Sequence, residues 1–251
     1  MTGAQEPLPE ELETVASLEA AGFEVEQNRW GWGFHHLTDG ALEKIPLLPS
    51  IGYLDLFDVC DSGEATDVGL AHLVGNTSLI CLRLGPGITD AGLVHLEGLK
   101  QLTELRLDSA PGVGDAGMAS IGRLTNLENL SIQYTGVGDA GLAELSDLKK
   151  LYHLELCVTP ISDEGLKHLA GLTQLRELHL SGTSVGNSAI EHLIGLPELE
   201  ELYLDQTKVT DRAIAILTRF SKLKRLRLSN TAVTPGGIAA LKSALPGCVV
   251  D

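Results

Sequence analysis

Apolar residues recur along the chain in a short pattern, LxxLxL, whose last two leucines flank a single polar position. In an extended chain, residues two apart point to the same side, so each LxL predicts a strand with one buried face. The steps between successive copies are 28, 23, 25, 24, 24, 24 and 24 residues, which predicts a structural repeat. The second apolar residue of the LxL lies at Leu56, Leu84, Leu107, Ile132, Leu156, Leu180, Leu204 and Leu228.

Each copy continues in the same way after its strand. An apolar residue five places beyond the LxL, such as Ile161, predicts that the chain turns inward again. A Thr-Asp pair or a relative, such as Thr210-Asp211, is typical of a helix N-terminus, and a short GLxxL helix follows. Two places after the Asp position the residue is always small, which predicts close packing between neighbouring helices. These small residues are Gly69, Gly92, Gly117, Gly141, Gly165, Ala189, Ala213 and Gly237.

A single copy cannot bury its own leucines, whereas stacked copies bury them in one continuous core. We therefore expect the strands to form a parallel sheet on one side of the stack and the short helices to line the other side. Because helices are wider than strands, the stack should bend with the sheet inside the curve.

The consensus LxxLxLxxTxITDxGLxxL resembles the leucine-rich repeat, over roughly residues 38 to 248. Its TDxGL form is similar to repeats in the substrate-binding part of F-box proteins and in many bacterial leucine-rich repeat proteins. The resemblance implies an α/β fold: a right-handed, horseshoe-shaped leucine-rich repeat solenoid with a parallel β-sheet on the concave face and short helices on the convex face. It also implies protein–protein binding as the usual task.

The chain departs from the family pattern in two ways. Threonine stands at the turn after the strand, where cysteine or asparagine is usual, at Thr135, Thr159, Thr183, Thr207 and Thr231. The residues before the first repeat-like segment leave no room for an F-box, so a ubiquitin-ligase role is not expected.

The sequence predicts a single domain with three parts. A helix over about Pro9 to Ala21, ended by Gly22, a following strand and a Trp-rich turn form an N-terminal cap over residues 1–37. About eight copies of the 24-residue repeat occupy residues 38–245, and residues 246–251 form a C-terminal cap with one last short strand.

The run WGWGFHH at residues 30–36 holds both tryptophans of the chain. We expect its rings to plug the end of the leucine core, because an end repeat would otherwise expose its leucines. An aromatic contact patch and a sugar-binding platform are the alternatives.

The net charge is −16, from 34 acidic and 18 basic residues. This balance argues against nucleic acid and against an anionic membrane surface as partners. The acidic start does not read as a signal peptide, and the four cysteines form no CxxC pair, so we expect free thiols and a cytoplasmic location. Another protein, unidentified, is the expected partner, and the chain is expected to be a monomer.

The residues that flank the LxL leucines should point into the concave side and bind the partner. They are Tyr53, Asp55, Phe57, Arg83, Arg106, Asp108, Gln133, His153, Glu155, Glu177, His179, Glu201, Tyr203, Asp205, Arg225 and Arg227. Aromatic and arginine residues are the expected anchors, and Tyr134 and Tyr152 join them. Lys222 and Lys224, beside Arg225 and Arg227, predict a basic end on an acidic molecule.

Two histidines and two glutamates should form one patch on this face. Neighbouring parallel strands put His153 beside Glu177 and Glu155 beside His179, with Cys157 at the edge. Surface pairing of the histidines with the glutamates is the main interpretation. A metal site at these four residues is the alternative, since zinc needs its ligands to converge on one point. A cysteine–histidine catalytic site is disfavoured because an open sheet excludes no water. No cofactor and no catalytic residue are predicted.

The resulting functional prediction is a protein–protein interaction module that binds through the concave face. The alternative is an acidic inhibitor or immunity-type protein that caps a basic enzyme. Self-association through the ends of the solenoid is a further hypothesis.

Overall fold

The computed structural model of the chain describes residues 9–28, 31–35, 37–48, 50–57 and 65–251. Across these residues the strands form one eleven-stranded sheet whose spatial order follows the chain. They are β1 (Glu24–Asn28), β2 (Gly31–His35), β3 (Ile51–Asp55), β4 (Cys81–Arg83), β5 (Glu104–Arg106), β6 (Asn129–Ser131), β7 (His153–Glu155), β8 (Glu177–His179), β9 (Glu201–Tyr203), β10 (Arg225–Arg227) and β11 (Val249–Val250). Neighbouring strands are parallel except β1 and β2, which are antiparallel.

A helix precedes the sheet and one short helix follows most strands. They are α1 (Pro9–Ala20), α2 (Asp39–Leu42), α3 (Asp67–Leu70), α4 (Asp90–Leu93), α5 (Asp115–Ile121), α6 (Asp139–Ala143), α7 (Asp163–Leu166), α8 (Asn187–His192), α9 (Ile214–Leu217) and α10 (Pro235–Ala244). Single 3-10 turns flank several of them, at Ile45–Leu47, Ala71–Leu73, Val94–Leu96, Lys167–Leu169, Leu193–Gly195 and Asp211–Ala213.

The leucines of successive strands lie in register and form the core. The row Leu54, Leu82, Leu105, Leu130, Leu154, Leu178, Leu202 and Leu226 is fully buried. The leucines of the helices face the same core, which runs without interruption from Leu18 of α1 to Val250 of β11. The predicted stacking of copies around one core is therefore confirmed.

The helix N-termini of successive repeats are linked by carboxylates. Asp115, the first residue of α5, accepts hydrogen bonds from the backbone N–H of Gly138 at 2.7 Å and of Gly141 at 2.9 Å in the next repeat. Asp39, Asp67, Asp90, Asp139, Asp163, Asn187 and Asp211 make the same kind of link. A Cβ at Gly141 would lie 2.7 Å from the Asp115 oxygen, so the small residue leaves room for this carboxylate.

A threonine hydroxyl donates to the carbonyl of the residue that follows each of strands β6 to β10. The hydroxyl of Thr159 donates to the carbonyl of Leu156 at 2.6 Å, and Thr135, Thr183, Thr207 and Thr231 repeat this bond. The threonine that departs from the family pattern thus supplies a local hydrogen bond to a buried backbone group.

The turn that follows each of strands β5 to β10 passes through the left-handed region of the backbone. Ser109, Tyr134, Val158, Gly182, Gln206 and Asn230, with φ between 55° and 74°, occupy this equivalent position. Glycine and asparagine adopt this conformation at little cost, whereas a β-branched valine does not.

The N-terminal end differs from the prediction in one respect. Residues Gly31–His35, expected as part of a turn, form β2, which extends the sheet between β1 and β3. Phe34 of β2 is fully buried and Trp32 packs against the core, as expected if these rings plug the end of the leucine core. Trp30 and His36 lie outside the described residues.

Helix α1 is fixed by the buried Glu11, which accepts hydrogen bonds from the backbone N–H and hydroxyl of Ser50 at 2.9 and 2.6 Å.

At the other end, α10 and β11 follow the last repeat. Val249 and Val250 extend the sheet in parallel with β10, as the sequence predicts. The division into caps at 1–37 and 246–251 and repeats at 38–245 stays a prediction.

Candidate functional site

Side chains that alternate with the core leucines form one polar face, which we call the polar sheet face. It consists of the residues of β3 to β10 that flank the leucine row, together with the second residue after each strand end. The register pairs His153 with Glu177 and Glu155 with His179, as the sequence analysis expects. The predicted partner-binding residues therefore all lie on strands of this one face, or two residues beyond a strand end.

His153 is held between two carboxylates. Its Nε2 atom lies 2.7 Å from Oε1 of Glu155 on its own strand, and its Nδ1 atom lies 2.8 Å from Oε2 of Glu177 on β8. Oε1 of Glu177 lies 2.7 Å from Nε2 of His179. An ionised carboxylate only accepts hydrogen bonds, so His153 can donate to both carboxylates only in its imidazolium form, with a proton on each ring nitrogen.

The pKa values of this group follow from the same contacts. Burial acts to lower the pKa of His153, but its hydrogen bonds to Glu155 and Glu177 outweigh burial and raise the pKa above its ordinary value. The hydrogen bond from His153 lowers the pKa of Glu155. Burial acts to raise the pKa of Glu177, but the hydrogen bonds from both histidines outweigh it and lower that pKa.

Glu155 is fixed by more donors than Glu177. Besides His153, it accepts a hydrogen bond from Nε2 of Gln133 at 3.0 Å and lies 3.4 Å from both Arg106 and the hydroxyl of Ser131. Ser131 is fully buried. The described contacts of Glu177 come from the two histidines alone, and its side chain is 31% exposed against 13% for Glu155.

The polar sheet face continues through aromatic contacts to β10. The rings of His179 and Tyr203 lie 4.0 Å apart, and the Tyr203 hydroxyl donates to Glu201 at 2.6 Å. Burial, followed by this hydrogen bond, raises the pKa of Tyr203 to about 12. The Arg227 guanidinium lies 5.8 Å from the Tyr203 ring and 3.1 Å from Asp205.

The predicted basic end is neutralised by the preceding repeat. Lys222 pairs with Glu198, Lys224 with Glu200, Arg225 with Glu201 and Arg227 with Asp205, at 2.6, 2.6, 3.8 and 3.1 Å. These four bases therefore present balanced ion pairs rather than a bare positive patch.

At the start of the repeats, Arg83 joins an acid to an aromatic ring. Its guanidinium lies 3.5 Å from Asp55 and 4.3 Å from the centre of the Phe57 ring. Asp55 also accepts a hydrogen bond from the backbone N–H of Phe57 at 3.0 Å, so Asp55 shapes the turn that presents this ring. Tyr53 donates its hydroxyl to Asp55 at 3.3 Å.

Three acidic residues that the sequence places among the partner-binding residues are buried. Asp55, Asp108 and Asp205 are each 7% exposed. Asp108 accepts a hydrogen bond from Ser131, and Asp205 accepts one from the backbone N–H of Ser229 at 3.0 Å. These three carboxylates therefore position backbone and neighbouring side chains.

The structure gives no support to metal or cysteine chemistry at the patch. Across the described ranges, no group of three or more His, Cys, Asp or Glu side chains could hold a metal ion. Both nitrogens of His153 are already engaged by carboxylates. Burial raises the pKa of the Cys157 thiol, whereas a nucleophilic cysteine needs a lowered pKa. Cys81, Cys157 and Cys248 are free; Cys60 lies outside the described residues.

Two exposed residues with large apolar surfaces follow the ends of β6 and β7, and only one of them was expected from the sequence. Tyr134 is 54% and Val158 is 46% exposed, on neighbouring repeats and both in the left-handed turn. Tyr134 was expected as an anchor, but Val158 was not. A repeat alignment that marks the left-handed position would have singled out Val158.

No protein-family model and no curated protein matches the chain. Among solved structures, an internalin from Listeria monocytogenes is similar, with a TM-score of 0.67 and 21% identity over 86% of this chain and 57% of its own. Internalin C2 from the same species has a TM-score of 0.63 and 24% identity over 100% of both chains. A leucine-rich repeat protein from Leptospira interrogans has a TM-score of 0.57 and 21% identity over 83% of this chain and 56% of its own.

The fold is a leucine-rich repeat solenoid. This confirms the predicted fold class, while the TDxGL subclass stays a prediction. The chain spans 57% of the first internalin and 56% of the Leptospira protein. No helix of the described part of this leucine-rich repeat solenoid is long and apolar enough to cross a membrane.

Proposed function

We propose that this chain is a protein–protein interaction module that binds its partner through the polar sheet face. The observation that carries the proposal is the continuity of this face. Eight strands in register, β3 to β10, display arginines, histidines, tyrosines and acids whose positions are fixed by one another. Solenoids use such extended surfaces for binding, and a rigid surface orders few side chains on association.

In this proposal the partner is another protein, and neither nucleic acid nor a membrane surface is a partner. A net charge of −16 supports a partner with a basic surface. The free thiols at Cys81, Cys157 and Cys248 support a reducing compartment, so cytoplasmic location remains part of it too.

Proteins captured from a lysate of the source cells by the wild-type chain and by two variants would test the proposal. One variant carries Tyr203→Ser, Arg225→Ala and Arg227→Ala on the polar sheet face. The matched control carries Glu164→Ala, Lys167→Ala and Arg212→Ala on the helix side. A protein retained by the wild type and the control, and lost by the first variant, supports the proposal. Retention by the first variant with loss by the control would move the site to the helices.

The second candidate is an acidic inhibitor that caps a basic enzyme, and the net charge favours it. It differs from the general module in one measurable way. Its binding should weaken steeply when the salt concentration rises from 0.05 to 0.5 M (about a tenfold change in ionic strength), because screening shortens the reach of charges. Binding that is insensitive to salt would remove this candidate and leave the general module in place.

A further inference from the structure

His153 links two strands of the polar sheet face by contacts that require a proton on each of its ring nitrogens. Glu155 lies on the same strand as His153, and Glu177 lies on the next strand. Each carboxylate is within 2.8 Å of one ring nitrogen. The ring can satisfy both carboxylates only while both nitrogens carry a proton.

We propose that His153 is a proton-operated latch of the polar sheet face, which holds Glu177 when protonated and releases it when one ring proton is lost. The proton passes to solvent, and the neutral imidazole keeps a single N–H. The nitrogen without a proton then directs its lone pair at a carboxylate oxygen, which is repulsive, so one of the two carboxylates must turn away.

The surroundings decide which carboxylate turns away. Glu155 keeps Gln133, Ser131 and Arg106 within 3.0 to 3.4 Å when it loses His153. Glu177 keeps only His179 among its described contacts and is the more exposed of the two. The remaining N–H of His153 therefore stays with Glu155, and Glu177 turns away from His153 while it keeps His179.

Charged and titratable groups surround His153 on its own strand, on the neighbouring strand β8 and on the next strands out, β5 and β9. They are Glu104 and Arg106 on β5, Glu155 and Cys157 on or after β7, Glu177 and His179 on β8, and Glu201 and Tyr203 on β9. On the other neighbouring strand, β6, the uncharged Asn129 pairs with His153 and the uncharged Ser131 pairs with Glu155. Of these groups, Glu155 and Glu177 contact the ring nitrogens of His153 directly, so its protonation state is coupled first to them.

Release of Glu177 changes what the face offers to a partner. The face loses one positive charge, and the Glu177 carboxylate, beside its register neighbour Glu201 on β9, is no longer neutralised by His153. This consequence rests on the proposed function: the more negative face should bind a basic partner better above the titration midpoint of His153 than below it.

The latch can be tested on the isolated chain, without any partner. The side-chain nitrogens of the histidines and the carboxyl carbons of the glutamates are followed by NMR from pH 5 to pH 9 (a range of about four units around the ordinary histidine pKa). We expect His153 to titrate above about 6.5, with the Glu177 carboxyl signal shifting at the same midpoint and the Glu155 signal moving less. A midpoint at or below that value, or a Glu155 signal that moves while Glu177 stays, would overturn the latch.

Two variants complete the test. Glu177→Gln should lower the His153 midpoint by about one pH unit, because it removes one of the two charges that hold the proton. His168→Gln, in the 3-10 turn Lys167–Leu169 on the helix side, should leave the His153 midpoint unchanged. An unchanged midpoint in Glu177→Gln would also overturn the proposal. A failed latch leaves the lysate experiment unaffected, so the two proposals fail separately.

Discussion

Asp115 and Gly141 lie in neighbouring repeats, and one carboxylate oxygen of Asp115 accepts the backbone N–H of Gly141 at 2.9 Å. A Cβ at residue 141 would lie 2.7 Å from that same oxygen. The contact explains why the position is small in each copy, since the carboxylate occupies the space of a side chain.

Gly141→Ala should therefore destabilise the protein. Alanine in a helix normally stabilises by about 0.5 to 1 kcal/mol relative to glycine. Here the added methyl group crowds Asp115, Val137 and Met118, so we expect a net loss of about 1 to 3 kcal/mol in the free energy of unfolding. Urea denaturation followed by circular dichroism measures the change.

The matched control is Gly236→Ala in α10. The nearest atom to a Cβ there is the Thr234 hydroxyl at 3.6 Å, an ordinary contact. This variant should gain about 0.5 kcal/mol, as expected for a helix without crowding. Equal effects of the two substitutions would contradict the carboxylate explanation.

Replacing Val158 with asparagine should stabilise the protein. The φ of Val158 is 55°, a region that disfavours a β-branched residue, and its side chain is 46% exposed. Val158→Asn should raise the free energy of unfolding by about 0.5 to 1 kcal/mol, because asparagine tolerates this backbone conformation. The reciprocal variant, Gly182→Ala at the equivalent turn, should lower it by a similar amount. A stabilising Gly182→Ala would show that the turn conformation carries no cost.

The threonine that follows each of strands β6 to β10 should be needed for its hydroxyl. Thr183 is 5% exposed, and its hydroxyl donates to the carbonyl of Leu180 at 2.6 Å. Thr183→Val keeps the shape but leaves that carbonyl only the longer bond from the backbone N–H of Thr183 at 3.2 Å, so we expect a loss of about 0.5 to 1.5 kcal/mol by thermal or urea unfolding. Thr183→Ser retains the hydroxyl and should lose less than the valine variant. The opposite order would mean that shape, not hydrogen bonding, selects threonine.

The stability of the protein should depend on pH through His153, Glu155 and Glu177. The raised pKa of His153 contributes stability that is complete below about 6.5 and is lost as the pH rises through the folded-state pKa. The lowered pKa values of Glu155 and Glu177 contribute stability that is complete above about 4.3 and is lost as the pH falls through their folded-state values.

Unfolding by urea at a series of pH values should thus show the contribution of this group at its maximum between about pH 4.3 and 6.5. His153→Gln should remove the decline above that window, because glutamine does not titrate. His72→Gln, on the 3-10 turn Ala71–Leu73, serves as the control. A decline of the same size in His153→Gln would assign it to other groups.

Much of the fold could be predicted because the spacing of the sequence repeat determines where the strands and helices lie. Spacing alone placed the leucine row in register, and register alone placed His153 beside Glu177. The spacing does not show which of several neighbouring side chains a given residue contacts. His153 also bonds Glu155 on its own strand, and that depends on side-chain rotamers and on Ser131, whose small side chain lies beside Glu155.

Other features escaped the sequence because they join residues in different repeats. The Asp of each Thr-Asp pair looked like a local helix-start signal, yet it bonds the backbone of the next copy. The four C-terminal bases looked unpaired because their acids lie one repeat earlier. The Trp-rich run was predicted as a turn, whereas Gly31–His35 form a strand in which a Cβ at Gly33 would crowd Glu26 and Tyr53.

The side-chain oxygen that links each helix start to the next copy has a consequence for how such a chain changes in length. Each link joins an Asp oxygen, or the Asn187 oxygen, to a backbone N–H of the following copy, despite steps that range from 23 to 28 residues. A whole copy can thus be duplicated or removed with both junctions restored. Recombination can in this way lengthen or shorten the binding surface while each remaining neighbour keeps its bonds.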